Sequence, residues 1–191
     1  MEIRLQKPLH WFICLLHFNE LPLRHLYDTL EKSVTKGPRA LTGGLIEKLN
    51  ECEKYQVLLD FEPIPLDNMP PPLENEEELS VDVKYLLQMG HAISQGFCSA
   101  DLANKKPGQI SHARWLTKAS RILRLYVTTK TPSHNLKTLT NYIMKVYIPL
   151  YFNIQFYKSV IYGSILLSKF IRWTQYLNGT LRSVVQNVLD L

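Results

Sequence analysis

The chain has 191 residues, 46% hydrophobic and 20% charged, a composition with room for a real core that excludes collagen-like and low-complexity chains. Its net charge of +5 conceals a division: residues 1–50 carry seven Lys/Arg and five Asp/Glu (+2), residues 51–82 one and ten (−9), residues 83–191 fourteen and two (+12). The basic stretch points to a polyanion partner, nucleic acid before an anionic membrane surface.

In chain order, Pro8 opens a short helical segment, "PLHWFICLLHFNE", and Pro22 suits the first turn of a second, "LPLRHLYDTLEKS". "GPRALTGGL" reads as loop and "LIEKLNECEKYQ" as a short helix. Five prolines between Pro63 and Pro72 make "FEPIPLDNMPPPLENEEEL" an extended acidic connector on the surface. Ser80 is placed to cap a helix on which Leu86, Met89, Ile93 and Phe97 share a face, and "NKKPGQ" ends that unit. A helix from about Ser111 to Thr129 follows. The next has Pro132 in its first turn and Leu136, Leu139, Ile143 and Val146 along one face, and Pro149 should kink or end it. "VIYGSILLSKFIRW" and "TLRSVVQNVLDL" close the chain as two more helices. No strand pairing, hairpin turn or repeat is visible. The expected fold is all-α, an irregular set of seven or eight helices. It divides into an N-terminal helical segment (1–60), the acidic connector (61–78) and a basic helical domain (79–191).

Cys14, Cys52 and Cys98 are odd in number and widely spaced. No disulfide framework is expected, and a reducing compartment, nuclear or cytoplasmic, fits best. The N-terminal apolar run lacks a small-residue cleavage site, and His10, His17, Asn19 and Glu20 interrupt or bound it, which argues against a secretory signal. Lys145, Pro149, Asn153, Gln155 and Lys158 break the most apolar stretch, short of the ~20 apolar residues of a membrane span. No membrane partner is expected.

The most organised stretch is "SHARWLTKASRILRLYV". At about 100° per residue, Arg114, Lys118, Arg121 and Arg124 fall on one side of a helix. Trp115, Leu116, Ala119, Ile122, Leu123, Tyr126 and Val127 fall on the other, and Leu125 is the one apolar residue among the cations. Like charges at i,i+3 and i,i+4 repel by a few tenths of a kcal/mol, roughly, per pair. Such a face makes sense when phosphates, or the acidic connector with Glu74, Glu76, Glu77 and Glu78, neutralise it. Three arginines to one lysine suit forked contacts to either.

This stretch resembles a family of transposon-encoded proteins of invertebrate genomes. "LHWFICLLHFNELPLRHL", "FCSADLANKKPG" and "YIMKVYIPLYFNI" look like neighbouring blocks of the same family, over most of Pro8 to Leu191. The resemblance implies a link to hAT-like cut-and-paste transposases, whose RNase H-like core is split by a helical insertion. It assigns Cys14 and His17 to that group's Cys-x-x-His element and Arg114–Trp115 to its Arg-Trp pair. Those enzymes hold divalent metal on two Asp and one Glu. Here no Asp precedes Cys14, and residues 130–191 contain no Glu and only Asp190. The chain is therefore read as the helical insertion, truncated at both ends, with no catalytic residues, cofactor or metal of its own. DNA, bound weakly and without sequence preference through Arg114, Lys118, Arg121 and Arg124, is the expected partner. A second copy of the chain or a full-length transposase are further candidates. The alternative is a helical interaction module whose basic face binds an acidic partner.

Other groupings carry less. Cys14, His10, His17 and His25 have no second ligand pair at zinc spacing, and Cys14 and His17 read as packed core residues of an apolar helix. His91 and Cys98 read as core too. Cys98, His112 and Asn104 form no recognisable nucleophile signature. The tyrosines and Trp173 of residues 142–176, interleaved with Lys145, Lys158, Lys169 and Arg172, suit either base stacking or core packing.

Overall fold

A computed structural model describes residues 14–32, 42–71, 79–109, 115–157 and 162–189. They form α1 (Leu15–Glu31), α2 (Ile46–Glu51) with a 3₁₀ turn (Cys52–Lys54), α3 (Val81–Gln95), α4 (Ala100–Asn104), α5 (Trp115–Val127) and α6 (His134–Tyr142). A π-helical stretch (Ile143–Tyr147) leads into α7 (Ile148–Tyr157), followed by α8 (Gly163–Trp173), α9 (Gly179–Gln186) and a 3₁₀ turn (Asn187–Leu189). The protein is all-α, with eight helices when the run from α6 to α7 counts as one, and no strand occurs among the described residues. No helix among them is long and apolar enough to cross a membrane.

The core is one hydrophobic cluster that draws on every expected segment: Leu23, Leu26 and Tyr27 from α1, Leu49 from α2, Ile64 from the connector, Leu86 and Met89 from α3 and Phe170 from α8. Central to it is α5, which packs against α1, α2, α3 and α6. On the far side, α1 lies against α6, α7 and α9.

Sequence expectation and structure part at several prolines. Residues 15–31 are one helix, with Pro22 buried inside it. A proline there forfeits the hydrogen bond to the carbonyl four residues before, yet Phe18, Leu23, Leu26 and Tyr27 bury enough surface to keep the helix whole. Pro149 neither ends nor breaks its helix. The π-helical stretch ahead of it moves the bonding register, so that the Ile148 N–H bonds to the Ile143 carbonyl five residues back, and the chain passes Pro149 at the start of α7. Pro132 lies outside α6, whose cap is Ser133, accepting from the Leu136 N–H at 3.2 Å. Ser80 does occupy the cap position of α3, but its side chain makes no capping bond. The short helix α4 carries no apolar periodicity that would predict it; Ser99 caps it, accepting from the Leu102 N–H at 3.3 Å.

Residues 55–71 are extended, as the prolines dictate. They are pinned to helix ends rather than lying loose. Leu58 donates its N–H to the Val127 carbonyl at 3.0 Å, Phe61 to Gly96 at 3.4 Å and Ile64 to Ile93 at 3.2 Å. The last carbonyls of a helix have no partner within it, so the connector satisfies the C-terminal end of α3, and Leu58 just ahead of it that of α5. Residues 72–78, with the four connector glutamates, lie outside the described residues.

Candidate functional site

Every residue of α5 except Leu116 is buried. Lys118 is 2% exposed, Arg121 4% and Arg124 4%. The basic arc expected to face phosphates therefore points into the protein, a correction to the sequence reading for these three residues. Arg114 lies outside the described residues. The physical reason is local: the short helices around α5 end against it, and their terminal carbonyls need donors that an apolar side chain does not supply.

Arg121 answers that need most fully. Its Nη1 donates to the Leu49 carbonyl at 2.7 Å and the Asn50 carbonyl at 3.3 Å, at the end of α2, and to Glu53 Oε2 at 2.8 Å. Its Nε donates to the Gly108 carbonyl at 2.7 Å. Burial pushes the Glu53 carboxyl up, but its own backbone N–H and the Arg121 guanidinium outweigh that and hold it below its usual range. Arg124, one turn on, is served less well. Its Nη2 donates to the Ala103 carbonyl at 2.8 Å, at the end of α4. Its Nε and Nη1 are buried and make no well-aligned hydrogen bond among the described residues. The Tyr85 hydroxyl, likewise without an aligned partner, stands beside the guanidinium, close enough to interact with it and to be held down against the larger raising effect of burial. A buried donor left so costs roughly 1–3 kcal/mol, and more when charged.

Lys118 places its Nζ 4.8 Å from the centre of the Trp115 ring. Burial and Arg24 hold its ammonium below the usual range, against Glu20 and Asp28. Trp115 itself is in the core, edge-on to Tyr27 at 5.8 Å. Cys14 and His17 are exposed at the start of α1, and His91 is exposed on α3, which corrects the core reading of all three; Cys98 is buried. Among the described residues no group of three His, Cys, Asp or Glu converges to hold a metal. Burial pushes the Cys98 thiol up and the Cys52 thiol up to about 12, so both stay protonated at neutral pH. The C-terminal cations stack on the chain's own rings: Lys145 lies 4.9 Å from the Tyr176 ring centre and Lys169 4.9 Å from that of Tyr157.

Two open clefts flank the extended segment. One, of about 720 Å³, lies toward α6 and mixes Asp60 and Glu62 with Lys130 and Lys137; Lys137 pairs with Glu62 at 2.9 Å. The other, of about 570 Å³, lies toward α4. Lys54, paired with Glu51 at 2.6 Å, Lys105, donating to Gln88 Oε1 at 3.1 Å, and Lys106 line it, with Arg124 among its lining residues and Glu53 its one lining acid, already engaged with Arg121. Two aromatic rings line it as well, Phe97 at 57% exposed and Tyr55 at 39%. Comparison with family models, curated proteins and solved structures found no match to the chain. The site is therefore read from its own chemistry. The Lys105–Lys106 pair beside Phe97 is visible in the sequence, but only the fold brings Lys54, Tyr55 and Arg124 to it.

Proposed function

We propose that the chain is a non-catalytic helical module of transposable-element origin that binds nucleic acid weakly and without sequence preference. The contact surface in this reading is the cleft between the extended segment and α4, in place of the buried arc of α5. The observation that carries it is the pairing of cations with exposed rings: Lys54, Lys105 and Lys106 beside Phe97 and Tyr55. A backbone-tracking charge and rings on which bases stack are the two elements of sequence-tolerant single-strand binding. The excess positive charge of residues 83–191 adds a favourable field.

Fluorescence anisotropy with an oligothymidylate tests this. Affinity should fall with salt, with a log–log slope of about −0.7 per phosphate contacted. The triple variant K54Q/K105Q/K106Q should bind at least tenfold more weakly and with a shallower slope. Phe97→Ala should weaken single strands and leave duplex binding unchanged. A triple variant that binds as the parent does removes the cleft from the reading. Full displacement of the strand by polyglutamate at equal charge, with Phe97→Ala silent, favours an acidic protein partner instead.

A further inference from the structure

We infer that this cleft seats a strand-end phosphate monoester against Arg124; the inference rests on the nucleic-acid reading of the same cleft. Arg121 and Arg124 stand one turn apart on α5 and are equally buried. Arg121 has a carboxylate and three carbonyls for its donors. Arg124 has one carbonyl and the Tyr85 hydroxyl beside it, with no carboxylate, and its Nε and Nη1 make no well-aligned hydrogen bond among the described residues. The difference lies in what stands beside each: Arg121 faces Glu53, whereas Arg124 lines the cleft among Lys54, Lys105 and Lys106. Glu53 lines this cleft too but is held by Arg121, and Lys54 is paired with Glu51, so the group still wanting there is an anion for Arg124 itself. A phosphate supplies acceptor oxygens in the plane of a guanidinium. A monoester carries close to two charges near neutral pH, against one for a diester. Only a strand end carries a monoester, and its small terminal group reaches the inner wall of the cleft as the Arg124 side chain turns toward it. The internal diesters remain with the rim lysines, and the terminal base lies by Phe97 or Tyr55.

The test uses the full chain and one oligothymidylate with an internal label, carrying phosphate at its 5′ end, at its 3′ end or at neither. Inorganic phosphate alone is titrated by calorimetry. A phosphorylated end should tighten binding about tenfold. Arg124→Lys should abolish that advantage while far-UV circular dichroism stays that of the parent. K105Q/K106Q should weaken all three strands and preserve the ratio between them. Should Arg124→Lys fail to fold, competition on the parent decides: inorganic phosphate at constant ionic strength should erase the end-phosphate advantage and spare the unphosphorylated strand. Equal affinity of the parent for all three strands overturns the inference and leaves the nucleic-acid reading standing, as does an advantage that survives Arg124→Lys. Phosphate heat with no strand binding keeps the anion site and overturns the nucleic-acid reading. Neither phosphate heat nor strand binding overturns both.

Discussion

Arg121 is the residue on which three short elements converge, since one guanidinium holds the end of α2, the carbonyl of Gly108 and the carboxylate of Glu53. Removing one side of a buried ion pair leaves the other charge and its carbonyl partners unsatisfied. Arg121→Ala should therefore cost about 3–5 kcal/mol, read as a lower denaturant midpoint at unchanged slope. Glu53 is partly open to solvent; Glu53→Gln keeps an acceptor but leaves the buried Arg121 guanidinium without a counter-charge, and should cost about 1.5–3 kcal/mol, the range for a hydrogen bond to a charged group. The two variants should also differ in acid. The folded carboxyl of Glu53 is held below its ordinary value of 4.5. Its contribution is thus complete above that value and fades as pH falls through the lower folded one. Stability measured from pH 6 downward should fall less steeply in Glu53→Gln than in the parent. The periodicity of the cations was legible in the sequence, because a helix fixes angles around its axis. Their destination was not, because that depends on which carbonyls arrive from elsewhere. No spacing rule relates Leu49, Asn50 and Gly108 to residue 121.

At the scale of the element, α3 ends in a left-handed glycine. Gly96 has φ +72°, its N–H bonds to the Ala92 and Ile93 carbonyls, and the Phe97 N–H reaches back to Ala92 at 3.2 Å. A Cβ at this position would stand 3.2 Å from the Phe61 carbonyl oxygen, so the strain of the turn and a pinch on the connector combine. Gly96→Ala should cost at least about 1 kcal/mol in chemical denaturation. Pro149 makes the opposite forecast. A proline that strains a helix interior costs about 3 kcal/mol, so removing it would stabilise by that much. Here the π-helical stretch has already changed the register, and Pro149→Ala should shift stability by less than about 1 kcal/mol. A stabilisation near the full interior penalty would show that the π register does not absorb the proline. The helices themselves were legible from apolar spacing and glycine signals, α6, α8 and α9 most plainly. The continuity of α1 through Pro22 and of α6–α7 through Pro149 was not. Local rules count the lost hydrogen bond, whereas burial of Phe18, Leu23 and Tyr27, or of Ile148, Leu150 and Phe152, decides the outcome.

For the whole molecule, the charge division that suggested separate segments works as a fastening. Glu53 pairs with Arg121 and Glu62 with Lys137, each joining the acidic stretch to the basic one. The exposed Glu62–Lys137 pair is worth little by itself; the burial around it is worth more. Tyr27 of α1 meets Trp115 of α5, Phe18 meets Phe170 of α8 at 5.2 Å, and the side chain of Asn19 donates to the Tyr147 carbonyl at 3.1 Å. Residues 1–60 and 79–191, distinguishable by composition, thus share the interior. Unfolding of the full chain should accordingly be one cooperative transition, with far-UV circular dichroism and tryptophan fluorescence coincident in urea. A fragment of residues 79–191 should show no such transition. It would carry Trp115 without Tyr27, and Arg121 without Leu49, Asn50 and Glu53, exposing an apolar face and burying an unmatched cation at once. Adding residues 1–60 in trans should restore helix content only if α1 docks independently of the connector. The connector's bonds from Phe61 to Gly96 and from Ile64 to Ile93, which residues 1–60 lack, argue that it does not. Two separate transitions in the full chain, or a fragment of residues 79–191 that melts cooperatively with native-like tryptophan emission, would return the basic region to the standing of an independent domain.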